Sequence, residues 1–141
     1  MKSTVKLLEK MAFDVAIEDH HFVIDADPQF GGEGRGPAPK ALLLSGLAGC
    51  AAMDVVAILR KMRQPLTGLN VSAEASLTDD HPKVFEHMTV VVQVEGDVVP
   101  DRVWRAVGLS RDKYCGVAAM LSAHGAIAYR VMLNGEEVPE P

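Results

Sequence analysis

The chain has two cysteines, Cys50 and Cys115, and their thiols are the side chains best suited to chemistry. A thiolate is a nucleophile or a metal ligand, whereas a buried thiol behaves as a small hydrophobic side chain. Neither cysteine belongs to a C-x-x-C motif, so a thioredoxin-like or zinc site has no sequence support. The pair therefore consists either of working thiols or of two core residues.

The sequence around each cysteine differs. Cys50 lies in the middle of a predicted helix, and the negative charge of Asp54, one turn later, opposes a thiolate there. Taken alone, Cys50 looks like a structural thiol. Cys115 follows Lys113 at a predicted helix boundary, where a cation or a helix N-terminus favours the thiolate.

The other polar candidates favour structural roles. The histidines lack a diagnostic metal spacing, and we interpret them as solvated turn and strand residues; they are His20, His21, His81, His87 and His124. We therefore predict no metal and no cofactor. The basic residues Arg60, Lys61 and Arg63 complement the dipole at a helix C-terminus. Ser45 lacks the G-x-S-x-G setting of a hydrolase nucleophile, and Ser110 is interpreted as a helix-terminal residue.

The composition limits the classes of partner. The net charge is −5 and aromatic residues make up 5% of the chain, which argues against a nucleic-acid surface. No signal peptide is visible. The longest uncharged run, 41–53, is shorter than the roughly 20 apolar residues of a membrane-spanning helix. We predict a cytoplasmic protein without membrane or nucleic-acid partners, in which disulfides are rare at rest.

The first forty residues predict strands followed by a loop. Apolar and polar residues alternate over 13–17 and continue over 22–26, with a polar turn between them. The glycine-rich segment 30–37 is a loop, and its glycines do not fit the G-x-G-x-x-G spacing of a nucleotide site.

A long helix is predicted from Pro39 to Arg63, ending before Pro65. Its middle is unusually rich in small residues, including Gly46 and Gly49. Each interior glycine costs about 1 kcal/mol relative to alanine. Close approach of another helix or of a partner subunit is the expected compensation.

The remaining residues predict an antiparallel hairpin, two helices and a final strand. Alternation over 71–77 places Val71 and Leu77 on one face, and residues 88–94 have the core-facing pattern of the second strand. Helical spacing follows over 103–121, and 127–133 is a final strand. We predict an α+β fold, with residues 1–141 forming a single domain.

Three segments resemble the OsmC/Ohr family of osmotically inducible and organic hydroperoxide resistance proteins. They are GPAPKALLLSGLAGCAAMDVVAILRKM (36–62), HPKVF (81–85) and LSRDKYCGV (109–117). The resemblance covers essentially residue 31 to the C-terminus and places one cysteine in each of two characteristic contexts. It implies an OsmC-like fold whose subunits wrap around one another as an intertwined homodimer.

The resemblance also implies a thiol-dependent peroxidase. Cys50 would attack an organic hydroperoxide and become a sulfenic acid, Cys115 would condense with it to a disulfide, and an external dithiol would reduce the disulfide. Both cysteines should then lie within disulfide reach. Family peroxidases activate the first cysteine with an N-terminal Arg and a Glu beside the helix-opening Pro. Here Lys40 stands at the Glu position and the first Arg is Arg35, so these two are the candidate activating cations.

Two other functions stay open at this point. A non-enzymatic stress or binding protein could keep the fold, hold a small apolar ligand in a cavity between helices, and use Cys50 only as a core residue. Hydrolysis or acyl transfer through a thiolate has little support, because no histidine is fixed near either cysteine by the sequence. The reactivity of Cys50 toward hydroperoxide distinguishes the peroxidase from the binding protein.

Overall fold

The computed structural model describes residues 1–141, which form two compact units, Met1–Leu43 and Leu44–Pro141. The boundary falls inside the long helix α1 (Pro39–Lys61), which begins at the proline expected from the sequence and ends two residues before the predicted Arg63. The organisation of 1–141 as a single domain stays a prediction.

The first unit contains a three-stranded antiparallel sheet. Its strands β1 (Ser3–Glu9), β2 (Ala12–Ile17) and β3 (His20–Ile24) are hydrogen-bonded in sequence order. The alternating pattern had predicted β2 and β3, and Val15 is among the buried side chains of this sheet. The strand β1 was missed because every one of its residues is exposed, so it has no buried face for a pattern to mark.

A buried carboxylate organises the loop after β3. The side chain of Asp25 is 3% exposed and accepts hydrogen bonds from the backbone N–H groups of Ala26, Glu33 and Arg35, at 2.8, 3.0 and 3.2 Å. These bonds hold the pKa of Asp25 below its usual range. A Cβ at Gly32 would collide with the carbonyl oxygen of Ala26, so the loop needs a glycine there.

The second unit contains a four-stranded mixed sheet. Its strands are β4 (Leu66–Leu77), β5 (Phe85–Gly96), β6 (Ala126–Leu133) and β7 (Glu136–Val138), in that spatial order. The hairpin of β4 and β5 is antiparallel, as predicted, whereas β6 pairs with β5 in parallel. The alternation of β5 is also confirmed, because Met88, Val90, Val92 and Val94 are all buried.

One stripe of α1 belongs to the same core as β5. Leu47, Ala51, Val55 and Leu59, spaced four residues apart, are at most 1% exposed and join the buried cluster of the second unit. By length and composition α1 is also the one helix of the chain that could cross a membrane. The core helix of a globular protein passes the same test, and the predicted absence of a membrane partner stays a prediction.

The segment between β5 and β6 differs from the expectation of two helices in one respect. Helix α2 (Pro100–Leu109) is followed by a π-helical turn at Ser110–Tyr114, and only then by the short helix α3 (Gly116–Leu121). Cys115 separates the turn from α3 with an extended backbone conformation. The wider turn changes which side chains of this segment share a face with Cys115.

Candidate functional site

The structure brings the two cysteines together. The sulfur atoms of Cys50 and Cys115 and a carboxylate oxygen of Asp54 all lie within 4.8 Å of one another. Helix α1 supplies Cys50 and Asp54 from consecutive turns of one face, because residues four apart are neighbours on a helix. Both cysteines are free thiols, and Cys50 is half-buried whereas Cys115 is buried.

Cys115 is held by backbone hydrogen bonds on both sides. Its N–H donates to the carbonyl oxygen of Ser110 at 2.8 Å, which closes the π-helical turn. Its sulfur caps helix α3 by accepting the N–H of Ala118 at 3.3 Å. Only 3% of the residue is exposed, so protein atoms form nearly all of its surroundings.

Asp54 has a fixed partner of its own. The hydroxyl of Ser110 donates to Oδ2 of Asp54 at 2.8 Å, and Ser110 is only 1% exposed. Ser110 therefore does more than end a helix, since it ties the π-helical turn to α1 and orients the carboxylate. No sequence pattern indicates this pair, because the two residues lie 56 positions apart.

The expectation that Cys115 favours its thiolate is wrong. Burial, followed by the hydrogen bond to Cys50, raises the pKa of the Cys115 thiol to about 11, and the negative charges of Cys50 and Asp54 act in the same direction. The hydrogen bond from Ala118 opposes this shift without overcoming it. Cys115 therefore keeps its proton at neutral pH and can donate it towards the sulfur of Cys50.

Tyr129 and Arg111 form a second group beside the thiols. Burial, and next the charge of Cys115, raise the pKa of Tyr129 to about 12. Its hydroxyl is buried and has no hydrogen-bond partner in the chain. The guanidinium of Arg111 lies 5.9 Å from the centre of the Tyr129 ring and is bound by Asp112 and Glu140. Neither residue was singled out from the sequence, because neither forms a recognisable catalytic or binding motif.

The two predicted activating cations belong to the first unit. Arg35 lies in the glycine-rich loop, where its backbone is anchored by Asp25, and Lys40 is the second residue of α1. Their role towards Cys50 stays a prediction.

Cys50, Asp54 and Cys115 could each offer one atom to a shared metal ion. Zinc binding would have to displace the proton of the Cys115 thiol, whose pKa is raised by burial in the metal-free chain. Asp54 is in addition engaged by Ser110. The predicted absence of a metal stays a prediction.

Comparison with known proteins decides the family. The family model described as OsmC-like protein matches residues 32–129, which include both cysteines. The chain belongs to the OsmC-like family. This membership confirms the resemblance drawn from the sequence and implies a stress-related redox function.

Individual relatives agree with this assignment. Protein YhfA of Escherichia coli K12 is 35% identical over 123 residues, which cover 86% of this chain and 89% of YhfA. A hypothetical protein from Aquifex aeolicus, 26% identical, has a TM-score of 0.80 over 94% of this chain and 96% of its own. An organic hydroperoxide resistance protein from Legionella pneumophila, 17% identical, has a TM-score of 0.71 over 94% and 97%, and confirms the α+β fold.

Proposed function

We propose that this OsmC-like chain is a cysteine peroxidase that reduces organic hydroperoxides in oxidative or osmotic stress defence. The observation that carries the proposal is the approach of two free thiols, Cys50 and Cys115, to within 4.8 Å. The partly exposed Cys50 is the sulfur that a substrate can reach. The name of the Legionella neighbour, an organic hydroperoxide resistance protein, is in line with this chemistry.

In the first step the Cys50 thiolate attacks the terminal oxygen of the hydroperoxide. The O–O bond breaks, the sulfur becomes a sulfenic acid, and the alkoxide leaves and takes up a proton to become an alcohol. The chain holds the resolving thiol of Cys115 ready nearby in its protonated form. A protonated Cys115 does not compete with Cys50 for peroxide, because the thiolate is the nucleophile.

In the second step the sulfur of Cys115 attacks the sulfur of the sulfenic acid. An S–S bond forms, the S–O bond breaks, and the thiol proton leaves with the hydroxyl group as water. An external dithiol then reduces the disulfide and is itself oxidised to a disulfide. The working partners of the protein are thus a small hydroperoxide and a dithiol, and neither step requires a cofactor.

The test is a stopped-flow measurement of thiol oxidation by cumene hydroperoxide, with mass spectrometry of the products. The wild type should react far faster than free cysteine and lose two hydrogens as a disulfide. Cys115→Ser should still be oxidised rapidly but stop at the sulfenic acid, and Cys50→Ser should not react. If the wild-type thiols are oxidised no faster than free cysteine, the peroxidase proposal is wrong and the ligand-binding function replaces it.

We further propose that the protein works as a homodimer joined through the outer face of α1. This face carries Met53, which is 77% exposed, and borders a mainly apolar groove of about 450 Å³. The groove is lined by Ala52, Met53, Val56, Ala57 and Arg60 of α1 and by Leu69 of β4. Apart from its chain neighbours and the nearby backbone of α1, nothing in the chain lies within 4 Å of a Cβ placed at Gly49 on the same face. A second copy of α1 would fill that space and supply the close approach expected for the small residues.

A further inference from the structure

The disulfide-forming step needs a base, and the buried position of Cys115 does not supply one by itself. A free thiolate at Cys115 is opposed by burial and by the neighbouring negative charges. The proton must therefore leave as the S–S bond forms, towards a group that already lies beside the sulfur.

Asp54 is the carboxylate in that position. One of its oxygens lies within 4.8 Å of both sulfur atoms, a distance that a thiol rotation or one bridging water can span. The Ser110 hydroxyl holds Oδ2 at 2.8 Å, and the same residue's carbonyl oxygen holds the N–H of Cys115 at 2.8 Å. The buried Ser110 therefore fixes the position of both the Asp54 carboxylate and the backbone of Cys115.

We propose that Asp54 accepts the proton of Cys115 during disulfide formation and passes it to the departing hydroxyl group. The Cys115 sulfur forms the S–S bond, the S–O bond of the Cys50 sulfenic acid breaks, and the proton that Asp54 receives completes the water molecule. Ser110 is a positioning residue that keeps the carboxylate directed at the thiols. This inference rests on the proposed function, since it assigns the proton path of that reaction's second step.

The other groups around Asp54 are less suited to this role. Lys61 and Tyr114 line the same cleft as Asp54, and Lys113 lies over the ring of Tyr114, but an ammonium group or a phenol at neutral pH has no site that accepts a proton strongly. Tyr129, near both thiols, keeps its own proton because burial raises its pKa to about 12. Asp54 is therefore the acceptor that the local structure supplies.

The decisive experiment separates the attack of Cys115 from any peroxide chemistry. One equivalent of Ellman's reagent converts Cys50 into a mixed disulfide with thionitrobenzoate, a position checked with Cys115→Ser. Attack by Cys115 then releases a second thionitrobenzoate, which is followed by its absorbance. We expect Asp54→Asn to slow this release at least tenfold at pH 7, because general base catalysis typically contributes about 10²–10⁴-fold. Asp97→Asn, an exposed carboxylate between β5 and α2, should match the wild type.

A purely electrostatic role of Asp54 predicts the opposite effect of Asp54→Asn on the release rate. If Asp54 acted only through its charge, removing that charge would ease ionisation of Cys115, and Asp54→Asn would release thionitrobenzoate faster than the wild type. An unchanged or faster rate overturns the proposal. Because this assay uses no hydroperoxide, a protein that fails as a peroxidase can still pass it.

The pH dependence of thionitrobenzoate release in the wild type is a second test, and it needs no variant at Asp54. With an internal base the release rate should be nearly constant from about pH 6 to about pH 9, whereas attack through free thiolate alone should rise about tenfold per pH unit in that range. A tenfold rise per unit in the wild type overturns the proposal even if Asp54→Asn fails to fold. Ser110→Ala should slow release less than Asp54→Asn and leave the flat profile in place.

Discussion

At the scale of single residues, the candidate site separates the properties of its two thiols. Cys50 is partly exposed on a helix face, whereas Cys115 is buried and keeps its proton at neutral pH. In the proposed peroxidase, the two steps place different demands on a sulfur atom, since attack on peroxide needs a sulfur that the substrate can reach and resolution needs a thiol close to the sulfenic acid. The difference in burial leaves Cys50 accessible to a substrate and keeps the Cys115 thiol protonated.

Tyr129 is the one side chain of the site whose polar atom the fold leaves without a partner. An unsatisfied buried hydroxyl costs about 1–3 kcal/mol relative to its hydration in the unfolded chain. We therefore expect Tyr129→Phe to raise the free energy of unfolding by about 1 kcal/mol, measured by urea denaturation. Tyr114→Phe, at an exposed ring, should change nothing. A fall in stability on Tyr129→Phe would mean that the hydroxyl has a partner of its own.

The activating cation for Cys50 is also a question of single residues. We expect Arg35→Ala to lower the second-order rate constant of Cys50 with an organic hydroperoxide at least tenfold, which corresponds to about 1.4 kcal/mol. Lys40→Ala should have a smaller effect. The physical reason is that a nearby positive charge stabilises the thiolate against burial and against the carboxylate of Asp54.

The control for this comparison is Lys6→Ala, an exposed cation on β1, which should leave the rate constant unchanged. If Arg35→Ala and Lys40→Ala both react as fast as the wild type, the cation that assists Cys50 must come from another part of the assembly.

At the scale of elements, the loop that carries Arg35 depends on the Asp25 carboxylate. Three backbone N–H groups donate to it, which lowers its pKa in the folded chain. A depressed carboxyl pKa contributes stability that is present above the unfolded value, about 4, and is lost as the pH falls through the lower folded value. The loop should therefore loosen only in acid, below about pH 4.

This dependence gives a prediction for Asp25→Asn. An amide oxygen accepts a weaker hydrogen bond than a carboxylate, so the backbone amides of Glu33 and Arg35 should exchange with solvent roughly tenfold faster at pH 7. In this variant the exchange of these two amides should also no longer show the loss of protection below about pH 4 that protonation of the Asp25 carboxylate causes in the wild type. Asp27→Asn, whose side chain makes no capping bond in the same loop, should exchange like the wild type. Equal protection in both variants would contradict the role of Asp25.

Whether the sequence pattern predicted a given helix or strand depended on whether that element buries a periodic face. The hairpin, the long helix and the final strand were predictable because each buries one periodic face, as Val90 and Val55 illustrate. The exposed strand β1, the three-residue β7 and the π-helical turn have no such face or are too short to carry one. Their positions follow from pairing and packing with distant residues.

The same limit applied to the site. Both cysteines were identified from the sequence, and Asp54, one turn after Cys50, was recognised as a charge that opposes a thiolate there. The bond between Asp54 and Ser110 could not be predicted, because it depends on how the π-helical turn packs against α1. The protonation of Cys115 was predicted in the wrong direction, because local sequence shows the neighbouring lysine but does not show the depth of burial.

At the scale of the whole molecule, the outer face of α1 gives a direct test of the proposed homodimer. Within one chain a Cβ at Gly49 meets nothing within 4 Å beyond its chain neighbours and the nearby backbone of α1. Replacing an interior glycine gains about 1 kcal/mol of helix propensity. A monomer should therefore become more stable on Gly49→Leu. A dimer packed through this face should instead lose its interface, because the new side chain occupies the space of the partner helix.

We expect sedimentation velocity at micromolar concentration to give a dimer for the wild type and a folded monomer for Gly49→Leu. Gly108→Leu is the matched control, because Gly108 is also a helical glycine with nothing within 4 Å of an added Cβ, and it lies on α2 rather than on the helix that lines the groove. This variant should remain dimeric. If the wild type sediments as a stable folded monomer, the homodimer proposal is wrong. If Gly49→Leu remains dimeric, the interface lies on another surface. Helix α1 also carries Cys50. If the partner subunit contributes to the site, the monomeric Gly49→Leu variant should also show a changed rate of Cys50 oxidation by peroxide.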